Sequence, residues 1–560
     1  MQLVECVPNI SEGRRPEIYQ QVAQAAASVE GVTLLDIDPG KETNRTVITF
    51  AGPPEAVLEG AFQLVREALE RIDMRQHRGA HARLGAVDVV PFVPVEGVDL
   101  DFCAALARRL GQRVGEELGI PVYLYEHAAS RPERRNLADI RAGEYEGLAA
   151  KLQDPNWQPD FGPAVFVPKS GAVVIGARNF LVAYNVNLNT TDARLATRVA
   201  GEIREKGRRR LDLAGKPVLD PEGREIWDPG LLPGVKAVGW TIPEFGCAQI
   251  SMNITDLNRS PLHQVFDVCE ERARAHGLRV TGSELVGLIP ERALLEAGRH
   301  YLRRMGRCAG ASRRKLVSVA ARTLGLSEVK PFVAEDRILE WRLKPEGKLV
   351  QLSVADFLEE LASDSPAPGG GSVAALVGAL GAALTSMVAH LTYSKRGYEK
   401  QHSRFEEIAA EATAIWERLV AAIDEDTRAF ERYLQARKLP QGTEAEKKRR
   451  QLELEAAMAA VIEVPLGVLE ACPAVAHLAS SMLEIGFPAS RTDVGTGLAC
   501  ARAAASGAYQ NVLVNLELLE DQAQRQRWFL RAREAFEQTD RQVQEAERQL
   551  IASLEAAVRG

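Results

Sequence analysis

Residues 77–95, HRGAHARLGAVDVVPFVPV, combine a polar loop with an apolar run. The loop holds two histidines and two arginines among small residues: His77, Arg78, His81 and Arg83. The run from Leu84 is rich in valine, which predicts a strand over 84–93 that is stopped by Pro91 and Pro94. The stretch therefore presents four basic side chains at the mouth of a sheet.

These basic side chains suit a site that moves a proton on an acidic ligand. The unperturbed pKa of histidine lies near neutrality, so a histidine at a sheet edge can act as a general acid or base. Arginine binds carboxylates through a planar fork of donors. The alternative is a hydrogen-bonded loop histidine without a catalytic role, and the arginine neighbours leave the two interpretations evenly balanced.

Length and composition bound the class of protein. A chain of 560 residues with 46% hydrophobic and 26% charged residues is typical of a globular protein with about two to four domains. The net charge of −7 argues against nucleic-acid binding. No apolar run approaches the length of a membrane span, and no signal peptide is expected. Seven scattered cysteines without a CxxC motif predict reduced thiols in a cytoplasmic protein and no metal site.

The chain predicts a multidomain protein with an α/β part followed by an all-α part. Residues 1–178 follow the order β-α-β-β-α-β of a ferredoxin-like unit, and 179–305 repeat an α+β pattern as a second subdomain. The Pro-, Gly- and charge-rich residues 207–234 predict an exposed loop. Residues 306–352 read as a helical linker, and 353–560 predict a helix bundle rich in alanine.

Two features of the predicted bundle could carry chemistry. The segment PGGGS at 368–372 opens a helix, so its free N–H groups could bind a carboxylate; a plain helix start with closely packed glycines is the alternative. Asp426 lies on the apolar helix face of Leu419, Ile423 and Phe430, where burial would raise its pKa. Asp424 points away from that face. A structural carboxylate paired with arginine or lysine remains the alternative for Asp426.

Two further patterns leave alternatives open. Asn185 and Asn187 lie in mid-strand on the face opposite Tyr184, and a ligand, water or the backbone of a loop could satisfy their amides. Residues 446–451, EKKRRQ, are typical of a solvated helix face but could also hold a polyanionic tail. At the end of the chain, four apolar residues repeat every seven positions along a charged helix: Phe529, Phe536, Val543 and Leu550.

Several motifs resemble a known family. The N-terminal motifs CVPNISEGR, HRGAHARLGAVDVVPFVPV, GARNFLVAYNVNL and GSELVGLIP resemble glutamate formimidoyltransferase. The C-terminal motifs SPAPGGGSVAAL, DEDTRAF, LPQGTEAEKKRR, SRTDVGTG and GAYQNVLVNL resemble formimidoyltetrahydrofolate cyclodeaminase. Together the chain resembles the bifunctional formimidoyltransferase-cyclodeaminase family over nearly its whole length. Residues 207–234 and the C-terminal tail are longer than the family pattern.

The resemblance implies a folate enzyme of histidine degradation. It would transfer the formimino group of N-formimidoyl-L-glutamate to tetrahydrofolate, giving L-glutamate and 5-formimidoyltetrahydrofolate. It would then close that product to 5,10-methenyltetrahydrofolate and release ammonia. Tetrahydrofolate, including polyglutamated forms, would be the co-substrate, without a metal, and the chain would assemble as a homo-oligomer of dimers, such as a ring of dimers. The alternative is that only the transferase half is active and the bundle is an oligomerisation or folate-binding scaffold.

The resemblance also assigns residues. The catalytic residues of the family fall on His81 in the transferase half and on Asp426 in the cyclodeaminase half. Arg45, Arg78 and Arg83 are the candidates for binding the carboxylates of glutamate. The remaining candidates for substrate or folate binding are Asn9, Gly162, Pro163, Lys169, Ser170, Gly171, Ala172, Gly176, Arg178, Asn179, Lys236, Gly370, Gly371, Ser372, Arg449 and Arg450.

Overall fold

The computed structural model of the chain describes residues 2–41, 43–79, 82–212, 215–242, 245–343 and 347–559. The chain forms two compact units. An α/β unit comprises Met1–Ala293 and Leu324–Lys344, and a helical unit comprises Leu294–Thr323 and Pro345–Gly560. The predicted linker 306–352 is therefore shared between the two units. The division into four parts at 178, 305 and 352 stays a prediction.

The first half of the α/β unit confirms the ferredoxin-like prediction. Its elements are β1 Leu3–Cys6, β2 Asn9–Ile10, α1 Pro16–Ala27, β3 Thr33–Gly40, β4 Arg45–Gly52, α2 Pro54–Arg71 and β5 Val87–Glu96. Strands β1 and β2 both pair with β4 and β5, and β3 pairs with β4. The sheet order is therefore β3, β4, β1 with β2, and β5, which is the order of a split βαβ unit.

Further elements extend this sheet. They are α3 Leu100–Glu117, β6 Val122–Glu126, α4 Leu137–Arg141, α5 Glu144–Lys151 and β7 Val173–Ala177. Strand β7 is parallel to both β5 and β6. Helices α1, α2 and α3 cover one face through residues such as Val22, Leu58 and Leu110. The other face carries Glu5 and Tyr125, and it is the face on which polar groups gather.

Pro91 and Pro94 lie inside β5, so the prediction that they stop the strand is wrong. Both coincide with irregular pairing. The register between β5 and β1 shifts beside Pro94. Pro91 faces the break between β1 and β2, where its carbonyl accepts a hydrogen bond from the N–H of Val7 at 3.2 Å. Irregular pairing of this kind accommodates the missing N–H of proline.

The second half of the α/β unit repeats the same topology. Its elements are β8 Val182–Leu188, α6 Ala193–Ile203, β9 Arg208–Arg209, β10 Trp227–Asp228, β11 Val235–Ile242, β12 Cys247–Ile254, α7 Leu262–Ala275 and β13 Val280–Val286. The four-stranded sheet has the order β11, β12, β8, β13. The predicted exposed loop 207–234 is largely exposed, but it is not a loop: β9 and β10 pair, and Leu219 bridges Glu225 in a ribbon.

Four helices follow, α8 Glu291–Arg304, α9 Arg313–Thr323, α10 Ala334–Arg337 and α11 Leu339–Leu343. The remaining helices confirm the predicted all-α bundle: α12 Val354–Leu361, α13 Gly370–Tyr393, α14 His402–Arg437, α15 Glu444–Ile485, α16 Arg491–Leu516 and α17 Gln522–Arg559. Val543 and Leu550 of the predicted seven-residue repeat are buried, and Phe529 and Phe536 pack at the edge of the core.

Two helices of the bundle are long and apolar enough to cross a membrane by length and composition, α13 and α15. The expectation that no apolar run has that length is therefore wrong. A large part of both helices is buried within the bundle, and the core helix of a helical protein has the same composition. Inside α15, Pro465 lacks the N–H that would bond to the carbonyl of Val461, and the side-chain amide of Asn515 donates to that carbonyl instead at 3.0 Å.

Candidate functional sites

Asn44 joins three segments of the α/β unit that are distant in sequence. Its side-chain oxygen accepts from the N–H of Gly13 at 3.0 Å, and its amide donates to the carbonyl of Arg78 at 3.0 Å. Its own carbonyl lies 2.9 Å from Nε2 of His77. Asn44 has a positive φ of 48°, a backbone conformation that is strained for most residues. The motifs around residues 13, 44 and 78 therefore form one polar centre.

The loop that carries His81 is held at both ends. Ala80 and His81 lie outside the described residues, so the catalytic role of His81 stays a prediction. After the loop, the carbonyl of Leu84 accepts from the N–H of Ala172 at 3.1 Å. A Cβ on Gly171 would lie 2.2 Å from the same carbonyl. The segment predicted to bind folate, which ends at Ala172, thus packs directly against Leu84, three residues before β5.

Arg83, predicted to bind a carboxylate of glutamate, pairs with carboxylates of the protein itself, and its role toward the substrate stays a prediction. The side chain is buried, and its guanidinium already binds two carboxylates of the protein, Glu144 at 2.8 Å and Glu146 at 2.7 Å. Its Nε donates to Nδ1 of His77 at 3.3 Å. Arg83 is therefore part of the frame that holds the loop, because its donors are used within the protein.

The other two predicted arginines differ in exposure. Arg78 is exposed, and its Nη1 donates to the carbonyl of His77 at 2.7 Å. Burial lowers the pKa of Arg45, which lies near Arg141 and Asp88. Burial also raises the pKa of the Asp88 carboxyl, against the opposing effect of its ion-pair partner Arg141. Of the three arginines, Arg78 is the one whose guanidinium is open to an incoming carboxylate.

The predicted folate segment has one anchored end and one buried hydroxyl. Gly162 has a positive φ, and a Cβ there would lie 2.1 Å from the carbonyl of Ile120. Pro163 and Lys169 are exposed, and the ammonium of Lys169 donates to the carbonyl of Glu70 at 2.9 Å. The buried hydroxyl of Ser170 has no hydrogen-bond partner among the described residues. A ligand oxygen or a water could satisfy it.

A second polar group lies on the open face of the first sheet. Arg178 and Lys236, both predicted for folate, lie near the carboxylate of Glu126. Burial raises the pKa of Glu126, and Lys236 and Arg178 oppose the shift. Burial also raises the pKa of Glu5 to about 7, against the lowering effect of Arg178. A side chain on Gly176 would overlap the ring of Tyr125.

Sequence reasoning missed Glu5 and Glu126. The signal for Glu5 was available, because it is a carboxylate inside the short apolar strand LVEC, the same signal that singled out Asp426.

Two other residues predicted to bind substrate or folate have hydrogen bonds to nearby residues. The amide of Asn9 donates to the carbonyl of Val7 at 3.0 Å, and the carbonyl of Asn179 accepts from the guanidinium of Arg178 at 3.0 Å.

The mid-strand asparagines are buried, which excludes the interpretation that they face water. Tyr184 lies on the opposite face of β8, in the core, as predicted. The side-chain oxygen of Asn187 accepts from the amide of Gln249 at 2.8 Å, and Gln249 in turn accepts from the indole of Trp240 at 2.9 Å. The amide nitrogen of Asn187 is buried without a partner among the described residues.

In the helical unit the two features predicted to carry chemistry, the glycine-rich start of α13 and Asp426, lie in contact. The carboxylate of Asp426 on α14 lies at the N-terminus of α13, with its Oδ2 3.2 Å from the hydroxyl of Ser372. Burial raises the pKa of Asp426, while hydrogen bonds from the side chain and backbone of Ser372 lower it. Within the described residues Asp426 has no ion-pair partner, so the alternative of a carboxylate paired with arginine or lysine is not what the structure shows.

Gly371 makes room for this carboxylate. A Cβ at residue 371 would lie 2.2 Å from Oδ1 of Asp426, well inside van der Waals contact. The neighbouring Gly370 lies beside the amide of Asn511, 3.3 Å from where its Cβ would be. The predicted residues Gly370, Gly371 and Ser372 therefore share one site with Asp426.

Asp424 is buried, although it lies off the face of Asp426. Its carboxylate accepts from the backbone N–H groups of Leu349 at 2.9 Å and Val350 at 3.2 Å. A Cβ on Gly347 would overlap that carboxylate. Asp424 therefore anchors the short turn that precedes the bundle, a role that no local pattern indicated.

Arg449 and Arg450 lie on α15 and are not part of the contacts around Asp426. Arg449 lines a cleft of about 550 Å³ together with Arg428, Arg432 and Glu453. Arg450 lies beside the end of α14, where its guanidinium donates to the carbonyl of Arg437 at 3.4 Å. Their role as folate contacts stays a prediction.

Substituting Ser372 should shift the pH dependence of any reaction in which Asp426 acts first as a base. A carboxylate with a raised pKa keeps its proton to higher pH, so the rate should rise with pH through that pKa. Ser372→Ala removes the hydroxyl that lowers the pKa of Asp426. We expect the acid limb of the pH–rate profile to move to higher pH.

The matched control is Ser386→Ala in the same helix, because Ser386 is also buried but bonds to Thr413 rather than to Asp426. Its acid limb should stay at the wild-type position. An unmoved limb in Ser372→Ala, or a shift to lower pH, would contradict the assignment of this hydrogen bond.

Gly371→Ala should displace the carboxylate of Asp426 and reduce the activity of the helical unit by about 10²-fold, because a displacement on the order of 1 Å can cost that much. The α/β unit should keep its activity. Gly467→Ala is the matched control, since Gly467 is also helical but its Cβ would meet nothing within 4 Å. Steady-state rates for each half reaction provide the measurement, and equal rates for both variants would contradict the steric argument.

The half-buried carboxylate of Asp426 in the helical unit and the basic, carboxylate-lined centre in the α/β unit give each unit one candidate site. Three family models match the chain in succession: "Formiminotransferase domain, N-terminal subdomain" over residues 3–178, "Formiminotransferase domain" over 183–344, and "Formiminotransferase-cyclodeaminase" over 353–534. The chain belongs to the formimidoyltransferase-cyclodeaminase family. It has a transferase half and a cyclodeaminase half in that order.

Individual relatives match most of the chain or a part of it. Formimidoyltransferase-cyclodeaminase of Gallus gallus is 42% identical over 526 residues, which is 93% of this chain and 93% of its own length. Glutamate formimidoyltransferase of Thermoplasma acidophilum is 42% identical over 308 residues, 55% of this chain and 94% of its own. Methenyltetrahydrofolate cyclohydrolase of Methylorubrum extorquens is 34% identical over 171 residues, 30% of this chain and 82% of its own.

Proposed function

We propose that the chain catalyses two consecutive folate reactions of histidine degradation. The α/β unit transfers the formimino group of N-formimidoyl-L-glutamate to N5 of tetrahydrofolate. The helical unit closes 5-formimidoyltetrahydrofolate to 5,10-methenyltetrahydrofolate and releases ammonia. The observation that carries the proposal is the half-buried Asp426 carboxylate, held by Ser372 at the start of α13 and without an ion-pair partner among the described residues.

Ring closure requires one group that takes a proton and then returns it. The nitrogen N10 attacks the formimidoyl carbon, and its proton passes to the carboxylate of Asp426. The protonated Asp426 then gives that proton to the amino group of the adduct, the carbon–nitrogen bond breaks, and ammonia leaves. Burial raises the pKa of Asp426, which favours its holding the proton between the two steps.

The transfer step makes similar demands on the α/β unit. The nitrogen N5 attacks the formimidoyl carbon, and the nitrogen of glutamate leaves with a proton. We assign the proton exchange to His81, which the described loop ends flank on both sides. The exposed guanidinium of Arg78 is the candidate for a glutamate carboxylate, since a planar fork of donors matches it.

A spectrophotometric assay tests both halves in one experiment. Purified protein is mixed with tetrahydrofolate and N-formimidoyl-L-glutamate, and the near-ultraviolet absorbance of methenyltetrahydrofolate is followed together with ammonia. A rise in both without a second enzyme supports the proposal. Release of glutamate without the methenyl species supports the alternative in which only the transferase half is active. Neither product with intact, reduced folate would overturn the proposed function.

A second activity of the helical unit follows from the same chemistry. Water can attack the methenyl carbon while Asp426 takes one of its protons. The protonated Asp426 then gives that proton to N5 as the bond between N5 and the carbon breaks, and the hydroxyl of the adduct releases its proton to solvent, which leaves 10-formyltetrahydrofolate. The likeness of 171 residues of this chain to a methenyltetrahydrofolate cyclohydrolase favours it. Faster decay of methenyltetrahydrofolate with the protein than in buffer, lost in Asp426→Asn, would support this activity, and equal decay would exclude it.

We also propose that the chain acts as a cytoplasmic homo-oligomer. All seven cysteines are free thiols, which suits a reducing compartment. On α13 the apolar side chains of Leu380, Met387 and Leu391 are exposed on one side of a helix that has no charged residue, as expected of a face covered by another subunit. Light scattering after size-exclusion chromatography tests this, and a monomer at micromolar concentration would contradict it.

A further inference from the structure

Both ring nitrogens of His77 bond to the protein. Nδ1 lies 3.3 Å from Nε of Arg83, and Nε2 lies 2.9 Å from the carbonyl oxygen of Asn44. The imidazole is buried, with 6% of the residue exposed. The contact to Arg83 closes a loop of residues 77–83, and the contact to Asn44 fixes that loop to the strand beside it.

The partners determine which ring nitrogen carries the proton. The Nε–H of a guanidinium can only donate, so Nδ1 of His77 must accept and is unprotonated. A backbone carbonyl can only accept, so Nε2 must carry the proton. The two contacts therefore coexist only in the neutral imidazole with its proton on Nε2.

We propose that neutral His77 is a positioning residue of the transferase site, tying Asn44 and Arg83 together through both of its ring nitrogens. This inference rests on the proposed function, since it requires His81 to act in the transfer step. Described contacts hold His77 and Arg78 before residues 80–81, and Arg83 and Leu84 after them. The crosslink between His77 and Arg83 holds these two described segments at a constant separation.

The surroundings of His77 favour the neutral form. Burial, opposed by the hydrogen bond to Asn44, lowers the pKa of His77, and the cation of Arg83 lowers it further. The other charged groups that face it are Glu12 and Arg14, and two carboxylates lie behind Arg83, those of Glu144 and Glu146. Protonation would place a hydrogen on Nδ1 directly against the donor of Arg83 and break the crosslink.

The direction in which the contacts of His77 depend on pH follows from this arrangement. Because the pKa in the folded protein is below its ordinary value of about 6.5, the stabilising contacts are complete above that value. They are lost as the pH falls from there through the lowered pKa of His77. The transferase should therefore lose activity on the acid side through two protonations, one at His81 and one at His77, whereas the cyclodeaminase half should not respond to the second.

The test compares His77→Gln with His77→Leu in the full chain. A glutamine can accept from Arg83 through its oxygen and donate to Asn44 through its nitrogen, but it cannot be protonated. We expect His77→Gln to keep kcat within a few-fold. His77→Leu should lose about 10²-fold in kcat, because displacement of a catalytic group on the order of 1 Å costs that much, with KM for tetrahydrofolate nearly unchanged.

The controls use the second active site and a second histidine. Cyclodeaminase rates from 5-formimidoyltetrahydrofolate should be the same in all variants, which shows that the helical unit is intact, and an unchanged unfolding midpoint of the α/β unit shows that this unit is folded. His127→Leu is the matched control, because His127 lies in the same unit but forms an exposed pair with Asp101 and should leave the transferase unchanged. If the wild type itself has no transferase activity, the proposed function is wrong. If the wild type is active, the variants test the inference about His77.

The pH profile supplies a readout that a merely structural role would not change. In the wild type, the slope of log(kcat/KM) on the acid side should steepen from about one to about two, whereas in His77→Gln it should stay at about one. Equal slopes in both proteins, or full activity in His77→Leu, would overturn the inference. If His77→Leu does not fold, the comparison of the acid-side slopes of the wild type and His77→Gln still decides whether the inference holds.

Discussion

Asp426→Asn should abolish ring closure and leave formimino transfer intact. The amide has the same shape as the carboxylate, and its oxygen can still accept from Ser372, but it cannot take the proton of N10. General acid–base catalysis contributes about 10² to 10⁴-fold, so the cyclodeaminase rate should fall by that factor. Glutamate should be released at the wild-type rate, while the absorbance of methenyltetrahydrofolate fails to rise.

A neighbouring carboxylate provides the matched control. Glu425 is the next residue back along α14, but it is exposed and lies away from Ser372. Glu425→Gln should therefore close the ring at the wild-type rate. Wild-type formation of the methenyl species by Asp426→Asn would show that another group moves the proton, and it would remove the observation on which the function of the helical unit is proposed.

Arg134→Ala should destabilise the α/β unit by roughly 3–5 kcal/mol, the usual cost of leaving a buried charge unpaired. The side chain of Arg134 is 2% exposed and pairs with Asp160 at 2.6 Å. Asp160 is 9% exposed and also accepts from the N–H of Leu124 at 2.8 Å. Without Arg134 this carboxylate stays buried against β6, and it has no other ion-pair partner in the part of the chain that the structure describes.

The loss should be visible as heat sensitivity of the transferase half. A destabilisation of this size lowers the unfolding midpoint by roughly 10 °C. Because Asp160 lies two residues before Gly162, transferase activity should be lost in the same transition, as the segment predicted to bind folate is released. Calorimetry and residual transferase activity after heating measure both effects, and the transition of the helical unit should not move.

Arg109→Ala is the control for this prediction. Arg109 pairs with Glu55 at 2.7 Å in the same unit, but the two side chains are 55% and 71% exposed. An exposed ion pair contributes less than about 1 kcal/mol, so the midpoint should hardly change. Equal shifts in Arg134→Ala and Arg109→Ala would show that burial of the pair does not determine its contribution.

The local spacing of hydrophobic residues along the chain predicted most of the fold. The alternation in the first 300 residues predicted two ferredoxin-like halves, and the change of period near residue 353 predicted the bundle; both are confirmed. Periodicity also placed Asp426 on an apolar face, because a helix of known pitch turns spacing into direction. The ribbon at 207–234 was missed, since its composition is that of a loop and only pairing across the hairpin makes it a strand pair.

Tertiary structure decided which residues each side chain or strand contacts. Spacing along the chain shows which face of an element is buried but not which residue meets it, since that depends on packing between distant segments. Arg83 has the chemistry to bind a ligand carboxylate, but Glu144 and Glu146 occupy it from 61 and 63 residues away. Pro91 and Pro94 remain inside β5 because the neighbouring strand is interrupted there, which no property of β5 itself reveals.

The sequence by itself determined the two-unit architecture, the family and the identity of Asp426 as a carboxylate in an apolar setting. The tertiary structure alone decided that this carboxylate lies against Gly371 and Ser372, 54 positions from the latter, and that Asn44 ties His77 to the strand beside it. The physical reason is that hydrophobic periodicity is a local property of the chain. A hydrogen bond between distant residues depends on the packing of the whole unit.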